Sequence, residues 1–161
     1  EPIEPAGAVA EPYALWAIEA APGIAAPCNH PAVELVDDLG AIERLKLFIL
    51  NLGHTVLADM WREAGGNPAA AVREMVAGEP GAALRDIVGA EVLPGFAAHG
   101  EGEAAARYFA TTLERLANPF LDHRLADIAQ NHAQKAERRI GGFLRFAGTP
   151  APRLEAVLAR A

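Results

Sequence analysis

The longest hydrophobic stretch of the chain covers residues 45–58, in which Lys46 is the only charged side chain. Three other strongly polar side chains interrupt this stretch, namely Asn51, His54 and Thr55. A helix that is apolar on nearly every face is normally buried. The pattern therefore predicts a buried helix that follows Gly40 and ends at Gly65-Gly66.

The residues before this helix favour extended structure. Residues 1–12 are rich in proline and alanine and are predicted to form an extended lead-in. Residues 13–19 combine aromatic and β-branched side chains between proline-bearing flanks, and residues 33–36 continue this composition. The pattern predicts one or two short N-terminal strands.

The rest of the chain predicts further helices separated by glycine and proline. Asn67 and Pro68 are typical of a helix start. Pro94-Gly95, Asn118-Pro119 and Gly141-Gly142 are typical of helix ends. The predicted helices cover residues 68–77, 80–93, 101–117 and 121–140, followed by a short helix that ends near residue 159. The predicted fold is therefore mainly α, a multi-helix domain with short N-terminal strands.

Composition narrows the class of protein. The 161 residues suit a single domain, and a content of 52% apolar and 22% charged residues argues against disorder. The net charge is −7, with seven acids and no Lys or Arg in residues 1–40, which is unfavourable for binding nucleic acid or an anionic membrane. We expect no membrane span and no signal peptide. Because Cys28 is the only cysteine, we expect no disulfide, no zinc site and a cytoplasmic location.

Lys46, Asn51 and His54 together suit the removal of a proton from an alcohol. A buried ammonium group holds its proton less tightly, which is how a lysine becomes a base near neutral pH. Asn51 supplies an amide donor, and His54 can donate or accept a hydrogen bond. The alternative is structural: the lysine reaches solvent, the asparagine marks a break, and the histidine is a satisfied core residue.

Helix geometry sets a condition on the first interpretation. In a regular α-helix, the side chains of Lys46 and Asn51 lie about 140° apart around the axis. They can converge only if the helix bends or ends near Gly53.

The predicted helix before the last one has an inner face that changes from apolar to basic along its length. Lys135 and Arg139 lie within about 20° of the centre of this face, which we place at Ile128. Arg124 and Asn131 lie about 40–60° to one side. In one interpretation the basic end projects beyond the core, where cations complement a helix C-terminus. In the other it forms a cleft wall that contacts hydroxyls or a carboxylate.

Three segments, in this order, resemble the long-chain mannitol dehydrogenase family, which includes mannitol 2-dehydrogenase, mannitol-1-phosphate dehydrogenase, and the fructuronate and tagaturonate reductases. The first segment is Glu11-Pro12-Tyr13-x2-Trp16-x-Ile18-Glu19. The second is Lys46-x4-Asn51-x2-His54, which resembles the family's active-site signature. The third is Asn118-Pro119-Phe120-x2-His123, followed by Asn131-x3-Lys135-x3-Arg139, and it is most similar to the uronate reductases. The resemblance spans about residues 11–145.

The resemblance implies reversible oxidation of a secondary alcohol, in a polyol or an aldonate, to a ketose or keto-acid. It implies that Lys46 is the general acid and base, that Asn51 donates to the reacting oxygen, and that His54 orients a hydroxyl. It also implies substrate contacts, which are Asn131 and Lys135, with His123, Arg124 and Arg139 as further candidates. His123 matches the family motif but points away from the inner face of its predicted helix. The chain has Asp127 where members similar to mannitol 2-dehydrogenase carry an arginine, so their substrate preference does not transfer.

The resemblance further implies NAD or NADP, bound mainly by an N-terminal Rossmann domain that precedes these segments in the family and is absent from this chain. The one glycine-rich match, Gly100-x-Gly102-x-x-Ala105, follows no predicted strand and carries two glutamates that would repel a pyrophosphate. Residues 1–161 are thus expected to be a C-terminal substrate domain without cofactor or metal ligands, inactive alone.

Two further expectations follow from this interpretation. The uncovered interface with the cofactor domain would be a large apolar patch, through which two chains could dimerise. The alternative function is a non-enzymatic helical binding or interaction module, in which the same side chains are core and surface residues.

Overall fold

Helices dominate the structure, a computed structural model that describes residues 13–161. The predicted lead-in at residues 1–12 lies outside the described residues. The chain is divided into two compact units, residues 1–44 and residues 45–161. The described residues form seven helices and one sheet of two strands, which confirms the mainly α fold.

The first unit contains both predicted strands. Strand β1 (Trp16–Glu19) pairs in parallel with strand β2 (Val33–Val36), so that Trp16 lies opposite Val33. The connection between them, residues 20–32, has the length that a parallel crossover needs. None of residues 13–44 is buried, and Trp16 is 58% exposed. The described part of this unit therefore has no core of its own.

Three of the helices contain a π-helical segment, in which hydrogen bonds join residues five apart. The helices are α1 over residues 39–63, α2 (Val72–Ala77), α3 over residues 79–97, α4 (Gly102–Leu116), α5 (Leu125–Ile128), α6 over residues 132–147 and α7 (Pro152–Arg160). The π-helical segments are Lys46–Asn51 in α1, Val88–Val92 in α3 and Glu137–Gly141 in α6.

The core of the second unit is built from hydrophobic side chains of α1, α3, α6 and α7. Its fully buried members include Leu52, Val56, Leu84, Phe96, Phe143 and Leu154. Burial of residues 48–50 and 55–59 confirms the buried helix that the hydrophobic stretch predicts. The ring of Phe48 lies edge-on to that of Phe143, with centroids 5.8 Å apart, so the π-helical segment of α1 packs against α6.

The helix end predicted at Pro94-Gly95 is wrong, because α3 continues to Ala97. The π-helical segment Val88–Val92 widens the turn in which the proline ring would otherwise meet a backbone carbonyl. Gly95 has a packing role, since a Cβ there would lie 2.7 Å from Cζ of Phe143. This glycine therefore permits close contact between α3 and α6.

The continuous helix predicted over residues 121–140 is also wrong. Residues 121–124 are irregular, α5 ends at Ile128, and Asn131 adopts the left-handed conformation (φ 54°) before α6 begins. A left-handed residue cannot continue a right-handed helix, and asparagine tolerates that conformation better than most residues do. The predicted helix is therefore two helices with a turn between them.

The break predicted at Gly141-Gly142 does not occur, since α6 runs through both glycines to Ala147 and is followed by Gly148 (φ 61°). A Cβ on Gly142 would lie 3.3 Å from Cε1 of Phe48. The absence of a side chain therefore serves the close approach of α1 and α6, not a helix end.

Asn67 and Pro68 do not begin a helix, because Oδ1 of Asn67 accepts the N–H of Ala69 at 3.0 Å and closes a local turn. Helix α2 begins only at Val72. The N–H of Val72 donates to the carbonyl of His123 at 2.9 Å. This bond fixes the backbone of the irregular segment that carries His123.

Candidate functional site

The segment Lys46–Asn51 of α1 is π-helical. A π turn takes in more residues than an α turn, so residues five apart lie closer together around the axis than in a regular α-helix. The irregularity that convergence requires is therefore present as a widened turn. The expected bend or end near Gly53 is absent, because α1 runs on to Glu63.

Lys46 itself is exposed, so the predicted burial of its ammonium group is wrong for this unit. Its neighbours Leu45 and Leu47 are only half-buried, and full burial begins at Phe48. The first turn of the hydrophobic stretch thus lies outside the core, although its composition suggests burial. Lys46 is not among the residues that line the two cavities of this surface.

The first cavity, which we call the histidine cavity, has a volume of about 340 Å³ and is lined by residues of α1, α5, α6 and the segment before α5. Its lining residues are Asn51, His54, Asp122, His123, Arg124, Asp127, Ile128, Lys135 and Arg139. Six of the eight side chains that the sequence singles out are in this set. Lys46 and Asn131 are the two that are not. Two sequence motifs far apart in the chain therefore meet at one cavity.

The second cavity, which we call the basic cavity, has a volume of about 310 Å³ and shares Asn51, Lys135 and Arg139 with the first. Its other lining residues are Leu47, Gln134 and Arg138. Arg138 is a residue that sequence reasoning missed. The available signal was its place directly before Arg139 and three positions after Lys135.

Asn51 lines both cavities, and its backbone carbonyl joins α1 to α6. The carbonyl of Asn51 accepts the hydroxyl of Thr55 at 3.0 Å and Nη1 of Arg139 at 3.3 Å. Nη1 of Arg139 also donates to Oγ1 of Thr55 at 3.0 Å. Within residues 13–161, the side-chain amide of Asn51 has no hydrogen-bond partner. The amide can therefore donate to a ligand.

His54 is a neutral imidazole at pH 7. Burial lowers its pKa to about 4, and the nearby His123 and Arg139 act in the same direction. The rings of His54 and His123 lie edge to face, with centroids 5.9 Å apart. A neutral imidazole has one nitrogen that donates and one that accepts. Such a group can orient a hydroxyl but does not supply a positive charge.

Lys135 and Arg139 bring two cations without ion-pair partners to the cavities, although Asp122 and Asp127 also line the histidine cavity. Nζ of Lys135 donates to the carbonyl of Ile128 at 2.8 Å, at the end of α5. Burial lowers the pKa of Lys135, and the Arg139 guanidinium lowers it further. In the described part of the chain neither cation is ion-paired with a carboxylate. The nearby Asp122 is already shared by two arginines, Arg73 at 3.3 Å and Arg124 at 3.6 Å.

The remaining predicted substrate contacts are less enclosed. Asn131 is exposed, and its carbonyl accepts the N–H of Lys135 at 3.0 Å at the start of α6. Arg124 is exposed and ion-paired with Asp122. His123 lies in the irregular segment before α5. The prediction that it points away from the inner face of a helix is therefore wrong, because it is not in a helix.

Phe120 is the one large hydrophobic side chain of residues 45–161 that is mostly exposed, at 81%. It lies two positions before Asp122, which lines the histidine cavity. The large apolar patch that we expected beside the site is therefore reduced, in this unit, to one ring.

The glycine-rich match at Gly100 and Gly102 does not fit a dinucleotide site. A turn, not a strand, precedes α4, and Gly100 has a φ of 76° that favours glycine. A Cβ on Gly102 would lie 3.0 Å from that of Ala97, so this glycine serves packing. Among residues 13–161, no group of three or more His, Cys, Asp or Glu side chains is arranged to hold a metal ion. The described helices are also too short or too polar to cross a membrane.

The arrangement can therefore bind a polar ligand through one free amide, one neutral imidazole and two cations without counter-ions. Comparison with protein-family models and with curated protein sequences gives no match for this chain.

Proposed function

We propose that residues 45–161 form the substrate domain of an NAD(P)-dependent oxidoreductase that interconverts a secondary alcohol, in a polyol or sugar acid, with a ketose or keto-acid. The observation that carries this proposal is the convergence of Asn51 and His54 with Lys135 and Arg139 on one cavity. Side chains from separate motifs have no structural need to meet there with two cations that no carboxylate pairs and an amide without a partner.

Each side chain has a distinct role in the proposal. The amide of Asn51 donates to the reacting oxygen, where negative charge develops. The neutral imidazole of His54 orients a neighbouring hydroxyl. Lys46 takes the hydroxyl proton in oxidation and returns it in reduction. Its flexible four-carbon stem must reach from the exposed end of the π-helical segment to the cavity when substrate is bound.

The hydride carrier in this proposal is a nicotinamide held by a separate Rossmann domain, as the family resemblance implies. The described residues of this chain do not fit that group, so their roles are limited to binding, orientation and proton transfer. A cytoplasmic location is part of the same proposal.

The exposure of Lys46 favours a second candidate, a non-enzymatic helical binding module that uses the same cavities. In such a module Lys46 is an ordinary surface lysine. The two candidates share the ligand site and differ in whether chemistry follows binding.

Replacement of Lys46 by alanine, in a protein in which this chain is joined to its cofactor domain, separates the two candidates. The enzyme proposal predicts a fall in turnover of about 10²–10⁴-fold, the usual contribution of an acid–base group. Arg107→Ala is the matched control, because Arg107 lies on α4 and lines neither cavity. Turnover of Lys46→Ala equal to that of the control would defeat the enzyme proposal.

A further inference from the structure

The basic cavity is lined by side chains that donate hydrogen bonds and by none that carries a negative charge. Its cations are Lys135, Arg138 and Arg139, and its amides are Asn51 and Gln134. The remaining lining residue, Leu47, is apolar. A wall of this composition is suited to an anion with several acceptor oxygens.

The charge of these cations is not neutralised by the protein. Within the described ranges, no carboxylate is ion-paired with Lys135, Arg138 or Arg139. Glu137 directly precedes Arg138 in the chain, but its carboxylate pairs with Arg145 at 2.8 Å. The nearest carboxylate in sequence is therefore committed elsewhere.

The cations also act unfavourably on one another. Burial and the guanidinium of Arg139 lower the pKa of Lys135, while burial and the guanidinium of Arg138 lower that of Arg139. An anion between them would remove this repulsion, because an opposite charge favours the protonated form of each group.

We infer that the basic cavity binds the oxyanion of the substrate, a carboxylate or a phosphate, while the histidine cavity holds its hydroxyl groups. One ligand can contact both cavities, because Asn51, Lys135 and Arg139 line the two together. The substrate class is then a sugar acid or a polyol phosphate, not a neutral polyol. The inference rests on the proposed function for the hydroxylated part of the ligand, whereas the preference for an anion rests on the cavity alone.

Arg138 is the residue through which this inference is tested. It is exposed, and its side chain takes part in no hydrogen bond or ion pair in the described structure. Arg139, by contrast, is bonded to the Asn51 carbonyl and to Thr55. Arg138→Gln therefore removes a cation from the cavity wall without removing a bond that joins helices.

The experiment is a calorimetric titration of the full chain with D-gluconate, D-mannitol 1-phosphate and D-mannitol. We expect at least one anion to bind about 10-fold more tightly than mannitol, because hydrogen bonds to charged groups are the stronger ones. The difference should narrow at high salt. Whether gluconate or the phosphate binds more tightly identifies which oxyanion the cavity takes.

The variants then assign the effect to the cavity. Arg138→Gln should weaken anion binding about 10-fold and leave mannitol binding unchanged. Arg107→Gln, on α4, should change neither. Circular dichroism establishes that Arg138→Gln is folded, and Lys135→Gln is the second variant if it is not.

Equal affinity for the three probes, no anion binding at millimolar concentration, or an anion affinity that Arg138→Gln leaves unchanged would overturn the inference. Its failure is distinguishable from that of the proposed function. If the anions bind and Lys46→Ala keeps full turnover, the anion site stands and the enzyme proposal fails. If Lys46→Ala loses turnover and mannitol binds more tightly than both anions, the enzyme proposal stands and the anion site fails.

Discussion

The region around α7 and the region around the two cavities use charged side chains in opposite ways. At the start of α7, the buried carboxylate of Glu91 accepts the N–H groups of Arg153 and Leu154 and Nε of Arg153, each at 3.0 Å. At its end, Arg160 donates to Oδ2 of Asp59 from Nε at 2.9 Å and from Nη2 at 2.6 Å. Helix α7 is thereby fixed to α3 and to α1.

At the cavities, the half-buried cations Lys135 and Arg139 donate only to backbone carbonyls and to the hydroxyl of Thr55. Removing a charge from water costs free energy that an ion pair offsets and a neutral acceptor offsets less. The same fold supplies counter-ions to the charges at α7 and none to Lys135 or Arg139. The comparison teaches that the charges at α7 hold helices together, whereas Lys135 and Arg139 are not paired with any carboxylate in the described part of the chain.

The largest effect that we expect comes from breaking a pair at α7. Arg160→Ala leaves the carboxylate of Asp59, which is 1% exposed, without its main partner. Loss of one partner from a buried pair costs about 3–5 kcal/mol. Urea unfolding measures the difference.

The matched control for this variant is Arg138→Ala, which removes an arginine without a protein partner and should change the free energy of unfolding by about 0.5 kcal/mol or less. Similar losses in the two variants would remove the distinction between the two regions.

A smaller loss of stability is expected when the pH is lowered. We expect it to come mainly from His54, which lacks a counter-ion, and less from His132, which lies near the carboxylate of Asp59. His54 titrates near pH 6.5 when unfolded and at about 4 when folded, so the unfolded state binds more protons between these values. The contribution of His54 to the free energy of unfolding is therefore fully present above about pH 6.5 and is lost as the pH falls to about 4. The loss attributable to His54 is about 3.5 kcal/mol at most, since its pKa falls from 6.5 to about 4 and each pKa unit corresponds to about 1.4 kcal/mol.

Burial also lowers the pKa of His132, but the carboxylate of Asp59 opposes this shift. His54→Gln should therefore flatten the dependence of the unfolding free energy on pH more than His132→Gln does. Urea unfolding at several pH values between 7 and about 4 tests this order. The opposite order, or no flattening in either variant, would contradict the difference between the two regions.

The smallest effect is expected from Lys135→Met. The variant loses one hydrogen bond to the Ile128 carbonyl, which contributes about 1 kcal/mol, and gains from the removal of a charge repelled by Arg139. The free energy of unfolding should therefore change by about 1 kcal/mol or less. A loss several times larger, measured by the same urea method, would show that Lys135 is a structural cation.

Features that depend on local chemistry could be predicted from the sequence. The end of α1 falls at Gly65-Gly66, where φ is 94° and 67°, and α4 ends just before Asn118-Pro119. Features decided by packing could not. Gly95 and Gly142 resemble helix breakers in the sequence, but both lie inside helices. Each is at a position where an aromatic ring of another helix leaves little room for a side chain.

The site was predictable in part, for the same reason. The candidate residues singled out in the sequence include six of the nine that line the histidine cavity. Composition did not reveal that the burial of α1 begins only at Phe48, after Lys46. Arg138 was missed because regular α-helix periodicity places it about 80° from Ile128, and the turn at Asn131 and the π-helical segment of α6 invalidate that register.

The π-helical segment of α1 behaves as one surplus residue inserted into an otherwise regular helix. Deletion of a single codon between Lys46 and Asn51 would restore regular geometry. Because the chain from Phe48 onward is anchored by its apolar contacts, the start of the segment would turn by about 100° around the helix axis, and Lys46 would project in a new direction relative to Asn51. All the chemical groups would still be encoded, and only their alignment would be lost.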